Sequence, residues 1–170
     1  MNDTVRYILR LGLFALVQVV LFNAIDVSTY VYVCPCVLFL MLFPFTTSTI
    51  SLLLWAFGLG MVVDLWGGGL LGLHTAALVT VAFVRNTLLK LVAAKGEFGH
   101  GDVRSMAKLG FERYLLFACL CVLVHHLAFF NLEHFSVSLL IPLAIRIAAS
   151  FIVNVLLILL FERTFYAKKS

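Results

Sequence analysis

Long apolar runs separated by short polar breaks make up almost the whole chain. Six runs cover residues 7–25, 30–43, 47–66, 70–92, 113–130 and 137–161. A helix that crosses a bilayer needs roughly 20 mostly apolar residues, each contributing about 1.5 Å of length. The pattern therefore predicts an all-α integral membrane protein, in which a compact bundle of about six transmembrane helices forms a single domain over residues 1–170.

The second run is the least regular of the six. It ends at Pro44, carries Pro35 near its start and is shorter than a spanning helix requires. Two interpretations stay open: the span begins nearer Asp26, or the segment is re-entrant and does not cross the bilayer.

Composition supports a lipid environment. Hydrophobic residues make up 64% of the 170 positions and charged residues only 12%, whereas soluble domains are about half apolar and about a quarter charged. A soluble domain of this length could not bury so much apolar surface in one core.

The basic residues are distributed unevenly along the chain. Eleven of the twelve lysines and arginines lie near the N-terminus, between Arg85 and Arg113, or in the C-terminal tail, and Arg146 is the exception. With six spans these three segments fall on one side, so the positive-inside rule places both termini and the polar loop 93–112 in the cytoplasm. The charges flank apolar runs and form no aromatic-interleaved patch, so we expect a lipid bilayer and no nucleic acid as the partner of this surface.

The residues that could carry metal or catalytic chemistry form no recognised motif. Cys34 with Cys36, and Cys119 with Cys121, make Cys-x-Cys pairs, which lack one residue of the Cys-x-x-Cys motif. His125 and His126 are adjacent, so on a helix they point about 100° apart. No nucleophile–base spacing and no phosphate-binding loop is present. We therefore predict no metal, no cofactor, no catalytic residue and a protein that is not an enzyme.

Asp64, His74 and Arg146 are polar residues within or beside the apolar runs. An ionisable side chain in hydrocarbon costs several kcal/mol unless it finds a partner, which makes each a candidate functional residue. The third and sixth runs are antiparallel, so Asp64 and Arg146 lean toward one another. Two interpretations stay open: an ion pair, or an Arg146 that extends to water while Asp64 caps a loop.

Small residues surround Asp64 in the third and fourth runs. Gly58 and Gly60 precede it, and Gly68 and Gly72 follow it with small-x-x-x-small spacing. Small residues let transmembrane helices approach closely. The stretch therefore predicts a tightly packed helix–turn–helix hairpin.

This hairpin carries a family resemblance. The segment GLGMVVDLWGGGLLGLHTAALVTVAFVR, from Gly58 to Arg85, resembles the signature of MreD, the rod shape-determining membrane protein family of bacteria. Gly60 and Asp64 match the family's G-x-x-x-D core, and Gly72 and His74 match its later L-G-x-H pattern. The three glycines at the turn depart from it.

The resemblance implies a fold and a role. It implies a multi-pass inner-membrane protein whose bundle is similar to the substrate-binding component of energy-coupling-factor transporters. It also implies a non-enzymatic part in cell elongation, with MreC as the direct partner and MreB and the peptidoglycan synthases as indirect ones. The helix-packing or partner-binding candidates are then Gly58, Gly60, Asp64, Gly68, Gly72, His74 and Arg146. The alternative function is a small-molecule-binding membrane subunit of a vitamin-type transporter.

The topology can be tested with reporter fusions. We expect fusions placed after Lys169 and within residues 95–108 to report the cytoplasm, because the basic residues cluster in those segments. A reporter in the short connection near Glu133 serves as the control and should report the opposite side. A periplasmic signal from either of the first two fusions would contradict the six-span arrangement.

Overall fold

The computed structural model describes residues 3–23, 31–44, 46–67, 70–93, 109–133 and 140–165, and these ranges contain helices, turns and irregular backbone but no strand. Gly68, most of the predicted loop 93–112 and the two chain ends lie outside the described residues. Helix α1 continues as a π-helical turn over Gln18–Asn23. The α-helices are α1 (Asp3–Val17), α2 (Cys36–Met41), α3 (Thr49–Trp66), α4 (Leu73–Val92), α5 (Phe111–Glu133) and α6 (Leu140–Phe165).

Four of the described helices are long and apolar enough to cross a bilayer. They cover Thr49–Trp66, Leu73–Val92, Phe111–Glu133 and Ala144–Thr164, and a shorter apolar helix covers Tyr7–Val20. Large apolar side chains remain exposed on their outer faces, among them Leu54, Leu91 and Leu160. Contiguous apolar surface of this kind is what lipid solvates. The chain is therefore an all-helical membrane protein.

The helices pack in sequence order around a short central element. Helix α4 packs against α3 on one side and α5 on the other, and α6 packs against α5. Helix α1 packs against α3, and its Phe14 contacts Phe161 of α6, with ring centroids 6.3 Å apart. Helix α2 contacts α1, α3, α4 and α5, so it lies inside the bundle.

The second apolar run does not form one continuous helix. Only Cys36–Met41 is α-helical, about 9 Å of length, and each of these six residues is at most 2% exposed. Residues 31–34 before it are irregular. Pro35 explains the break, because proline lacks a backbone donor and disfavours helical geometry at the residue before it. Irregular backbone in a membrane protein is tolerated where protein surrounds it, and Val33 and Cys34 are buried here.

Helices α3 and α4 approach one another closely at Gly60. A Cβ atom added there would lie 2.8 Å from the Thr75 backbone nitrogen and 2.9 Å from Thr75 Oγ1, and would overlap the Thr75 Cα. At Gly58 the nearest atom would be Leu11 Cδ1, at 3.7 Å, which is ordinary contact. Only a glycine at position 60 therefore allows the two backbones this separation.

Two glycine substitutions test this packing. We expect Gly60→Ala to lower the free energy of unfolding by about 1–3 kcal/mol, because the added methyl group meets backbone atoms that cannot move away. Gly58→Ala is the matched control and should be neutral or slightly stabilising. Reversible denaturation in mixed micelles measures both, and equal effects from the two variants would reject the close approach.

Candidate functional site

The Asp64 carboxylate is the most heavily hydrogen-bonded side chain of the α3–α4 hairpin. Its Oδ1 accepts from the His74 amide at 2.9 Å and lies 2.8 Å from His74 Nδ1. Its Oδ2 accepts from the Gly72 amide at 3.0 Å, the Thr75 amide at 3.0 Å and Thr75 Oγ1 at 2.6 Å. A carboxylate offers about four lone-pair positions, so these five donors saturate it.

Asp64 supplies a cap that helix α4 lacks. The residue before α4 is Gly72, which has φ of +90° and no side chain to offer. The first amides of a helix have no partner within the helix, and negative charge near them is favourable. Asp64 of α3 reaches across the hairpin and satisfies those amides. The hairpin turn and the start of α4 are therefore fixed by one carboxylate.

Of the two interpretations that the sequence left open, the structure shows Asp64 capping the hairpin and no ion pair between Asp64 and Arg146. Arg146 Nη1 instead donates to Glu133 Oε2 at 3.0 Å, and its guanidinium lies 5.1 Å from the centre of the Phe130 ring. Glu133 ends α5 and Arg146 lies near the start of the adjacent α6, so these two are neighbours. Asp64 is already saturated by the hairpin.

The structure brings four of the seven predicted site residues together. Gly60, Asp64, Gly72 and His74 meet where α3 packs against α4. Gly58 faces Leu11 of α1 instead. Gly68 lies outside the described residues, and Arg146 belongs to the separate contact with Glu133.

Polar side chains that the sequence analysis did not select hold the irregular segment 31–34. Ser150 Oγ accepts from the Tyr32 amide at 2.9 Å. Asn154 Oδ1 accepts from the Cys34 amide at 2.7 Å, and Asn154 Nδ2 donates to the Tyr32 carbonyl at 2.8 Å. Gln18 Nε2 donates to the Val33 carbonyl at 3.2 Å. The detectable signal was that Gln18 and Asn154 interrupt apolar runs, but neither is ionisable.

The other end of the central segment has polar partners from α4. Arg85 Nη2 donates to the Phe43 carbonyl, and Asn86 Nδ2 donates to the Thr47 carbonyl at 3.1 Å. Arg85, which the sequence analysis counted among the residues bordering the polar loop, is completely buried. A cation close to the end of α2 is favourable because the helix C-terminus carries partial negative charge.

A cluster of rings lies beside the irregular segment. Tyr32 stacks on Phe129 with ring centroids 4.3 Å apart, and His74 and His125 lie 5.2 and 5.9 Å from Phe129. His125 Nε2 is 3.6 Å from Cys34 Sγ. Adjacent His126 has both ring nitrogens partnered, with Nδ1 2.8 Å from the Val122 carbonyl and Nε2 3.3 Å from Asn154 Nδ2. We call Tyr32, His74, His125 and Phe129 the ring cluster.

Most of the polar side chains described above lie in the interior of the bundle. In the part of the chain that the structure describes, no three His, Cys, Asp or Glu side chains are grouped as ligands of one metal ion. Most of the polar groups described above instead hydrogen-bond to backbone atoms or to one another. No protein-family model, no curated protein and no solved structure matches the chain.

Asp64→Asn tests whether the carboxylate holds the hairpin. We expect a loss of about 2–3 kcal/mol in the free energy of unfolding, because the amide has one acceptor oxygen and presents its own donors to backbone amides. Arg146→Gln is the control and should cost less than about 1 kcal/mol, since its ion pair is partly exposed.

The double variant distinguishes the hairpin contact from an ion pair between the two residues. Asp64→Asn with Arg146→Gln should give the sum of the two single losses, because the side chains have separate partners. Recovery of stability in the double variant would show direct coupling and contradict this arrangement.

Proposed function

We propose that this chain is a non-enzymatic component of the bacterial cell-elongation machinery, similar to MreD. In this proposal it binds an MreC-like membrane protein and so helps couple MreB to peptidoglycan synthesis. It lies in the inner membrane with six spans and both termini in the cytoplasm. The first two spans would come from α1 with its extension and from the segment that contains α2, in a bundle similar to the substrate-binding component of energy-coupling-factor transporters.

The hydrogen bonding of Asp64 within the hairpin is the observation that carries the proposal. The residues that resemble the family signature, including Gly60, Asp64, Gly72 and His74, contact one another rather than an open cleft. A carboxylate that five donors saturate is poorly suited to proton transfer or substrate binding. The signature then serves helix packing, which supports an assembly role.

The outer face of α1 suits a partner helix. Gly12 is exposed, and a Cβ added there would meet no atom within 4 Å, so the bundle itself does not use this glycine. The exposed side chains beside it are apolar: Ile8, Leu9, Leu13 and Leu16. Helix association in membranes depends on close packing at small residues. We therefore place the contact with the MreC-like partner on this face.

The ring cluster favours the alternative, a small-molecule-binding subunit of a transporter. Transporter sites lie near the bilayer midplane and use interrupted helices. The irregular segment 31–34 and the histidines beside it have that character. Under this alternative a transporter ATPase would be the partner in the membrane.

Purification of the native protein in mild detergent tests the two candidates. We expect an MreC-like membrane protein to co-purify and Gly12→Leu to reduce its recovery at least several-fold, because the added side chain separates the packed helices. Phe83→Leu is the control, since Phe83 is an exposed residue of α4, and should retain the partner. Co-purification of a transporter ATPase without an MreC-like protein would favour the alternative and reject the elongation role.

A further inference from the structure

Three buried polar atoms of the ring cluster have no nitrogen or oxygen partner among the described residues. They are Tyr32 Oη, His74 Nε2 and His125 Nδ1. His74 is 7% exposed and His125 is not exposed at all. In native proteins, buried polar atoms are nearly always hydrogen-bonded to protein, water or ligand.

The rings that carry these atoms lie close together although they come from distant parts of the chain. Tyr32 belongs to the irregular segment, His74 to α4 and His125 to α5. The Tyr32 ring centroid lies 6.0 Å from that of His74 and 6.5 Å from that of His125. Two hydrogen bonds in series span about 5–6 Å. The ring separations are of this size, so we infer that one bound oxygen atom can hydrogen-bond to more than one of the three residues.

Two neighbouring polar side chains, Asn154 and Asp64, differ from these three atoms in having hydrogen-bond partners. Asn154 bonds to Tyr32, Cys34, Ser150 and His126. The Asp64 carboxylate is saturated by the hairpin. The groups that support the backbone have partners, while the three polar atoms without one lie together on Phe129.

The hydrogen-bond donors and acceptors of the cluster define which ligand it can bind. Asp64 accepts from its other neighbours, so His74 Nδ1 carries the proton and His74 Nε2 is the acceptor in the neutral ring. Tyr32 Oη can both donate and accept. Arg146 Nη1 donates to Glu133 Oε2 at 3.0 Å, so these two opposite charges offset one another. The matching group both donates and accepts hydrogen bonds and has no net charge.

We propose that Tyr32, His74 and His125 form a binding site for an uncharged hydroxyl group, supplied by an internal water molecule or by a small hydroxyl-bearing molecule. Three polar partners are within the number that a buried water uses. Once occupied, the site connects the hydrogen bond between Asp64 and His74 to His125, whose Nε2 lies 3.6 Å from Cys34 Sγ. The inference stands independently of the elongation role.

Water-edited solid-state NMR of the full chain in lipid bilayers tests the site, using ¹⁵N-labelled histidine. Replacing His100 and His134 by Gln leaves three labelled rings. His126 is the internal control, because it is equally buried and both of its ring nitrogens have protein partners. We expect magnetisation from water to reach His74 and His125 several-fold faster than His126.

A second variant and a second readout separate the sources. Tyr32→Phe keeps the ring on Phe129 and should slow the transfer to His74 and His125 while His126 is unchanged. A different result would assign the hydroxyl to a small organic molecule. The ¹⁵N shifts would then be those of hydrogen-bonded nitrogens without magnetisation transfer from water, and mass spectrometry after denaturation would detect the molecule. The proposal would be overturned if magnetisation from water reached all three rings equally fast and the ¹⁵N shifts of His74 and His125 were those of nitrogens without hydrogen bonds.

Discussion

Backbone amides and carbonyls inside a bilayer have no water to bond, so every interruption of a helix needs a partner from elsewhere in the protein. This chain has a buried irregular segment before α2 and turns sharply before α4. Asn154 and Ser150 of α6 hold the first interruption, and Asp64 of α3 holds the second. In both cases polar side chains on one helix supply the hydrogen-bond partners that the backbone of another element lacks.

The position of the ring cluster follows from these two supports. Asn154 and Ser150 fix the Tyr32 backbone, which leaves its ring stacked on Phe129. Asp64 fixes the His74 imidazole, which faces the same phenylalanine from α4. The cluster therefore depends on Asp64, Ser150 and Asn154, which are not members of it.

The residues that hold the bundle together differ from the surfaces that are available to a partner. Asp64, His74 and Thr75 of the signature segment are buried. Thr75 fills the space beside Gly60. The outer faces of α1 and α6 are apolar. Lipid and partner helices meet such faces through packing rather than charge. An assembly role would use those faces, whereas a ligand would use the ring cluster.

The sequence by itself determined the helical membrane class and the hairpin around Asp64, because hydropathy, run length and glycine spacing act locally. It also marked Pro35 as the weak point of the second run. Only the tertiary structure decided the partners: Arg146 with Glu133 rather than Asp64, Arg85 with the Phe43 carbonyl, and Asn154 with a segment 120 positions away. Such contacts depend on which helices become neighbours and how each is rotated. A polar residue in an apolar run shows that a partner must exist, but only the packed bundle determines which one.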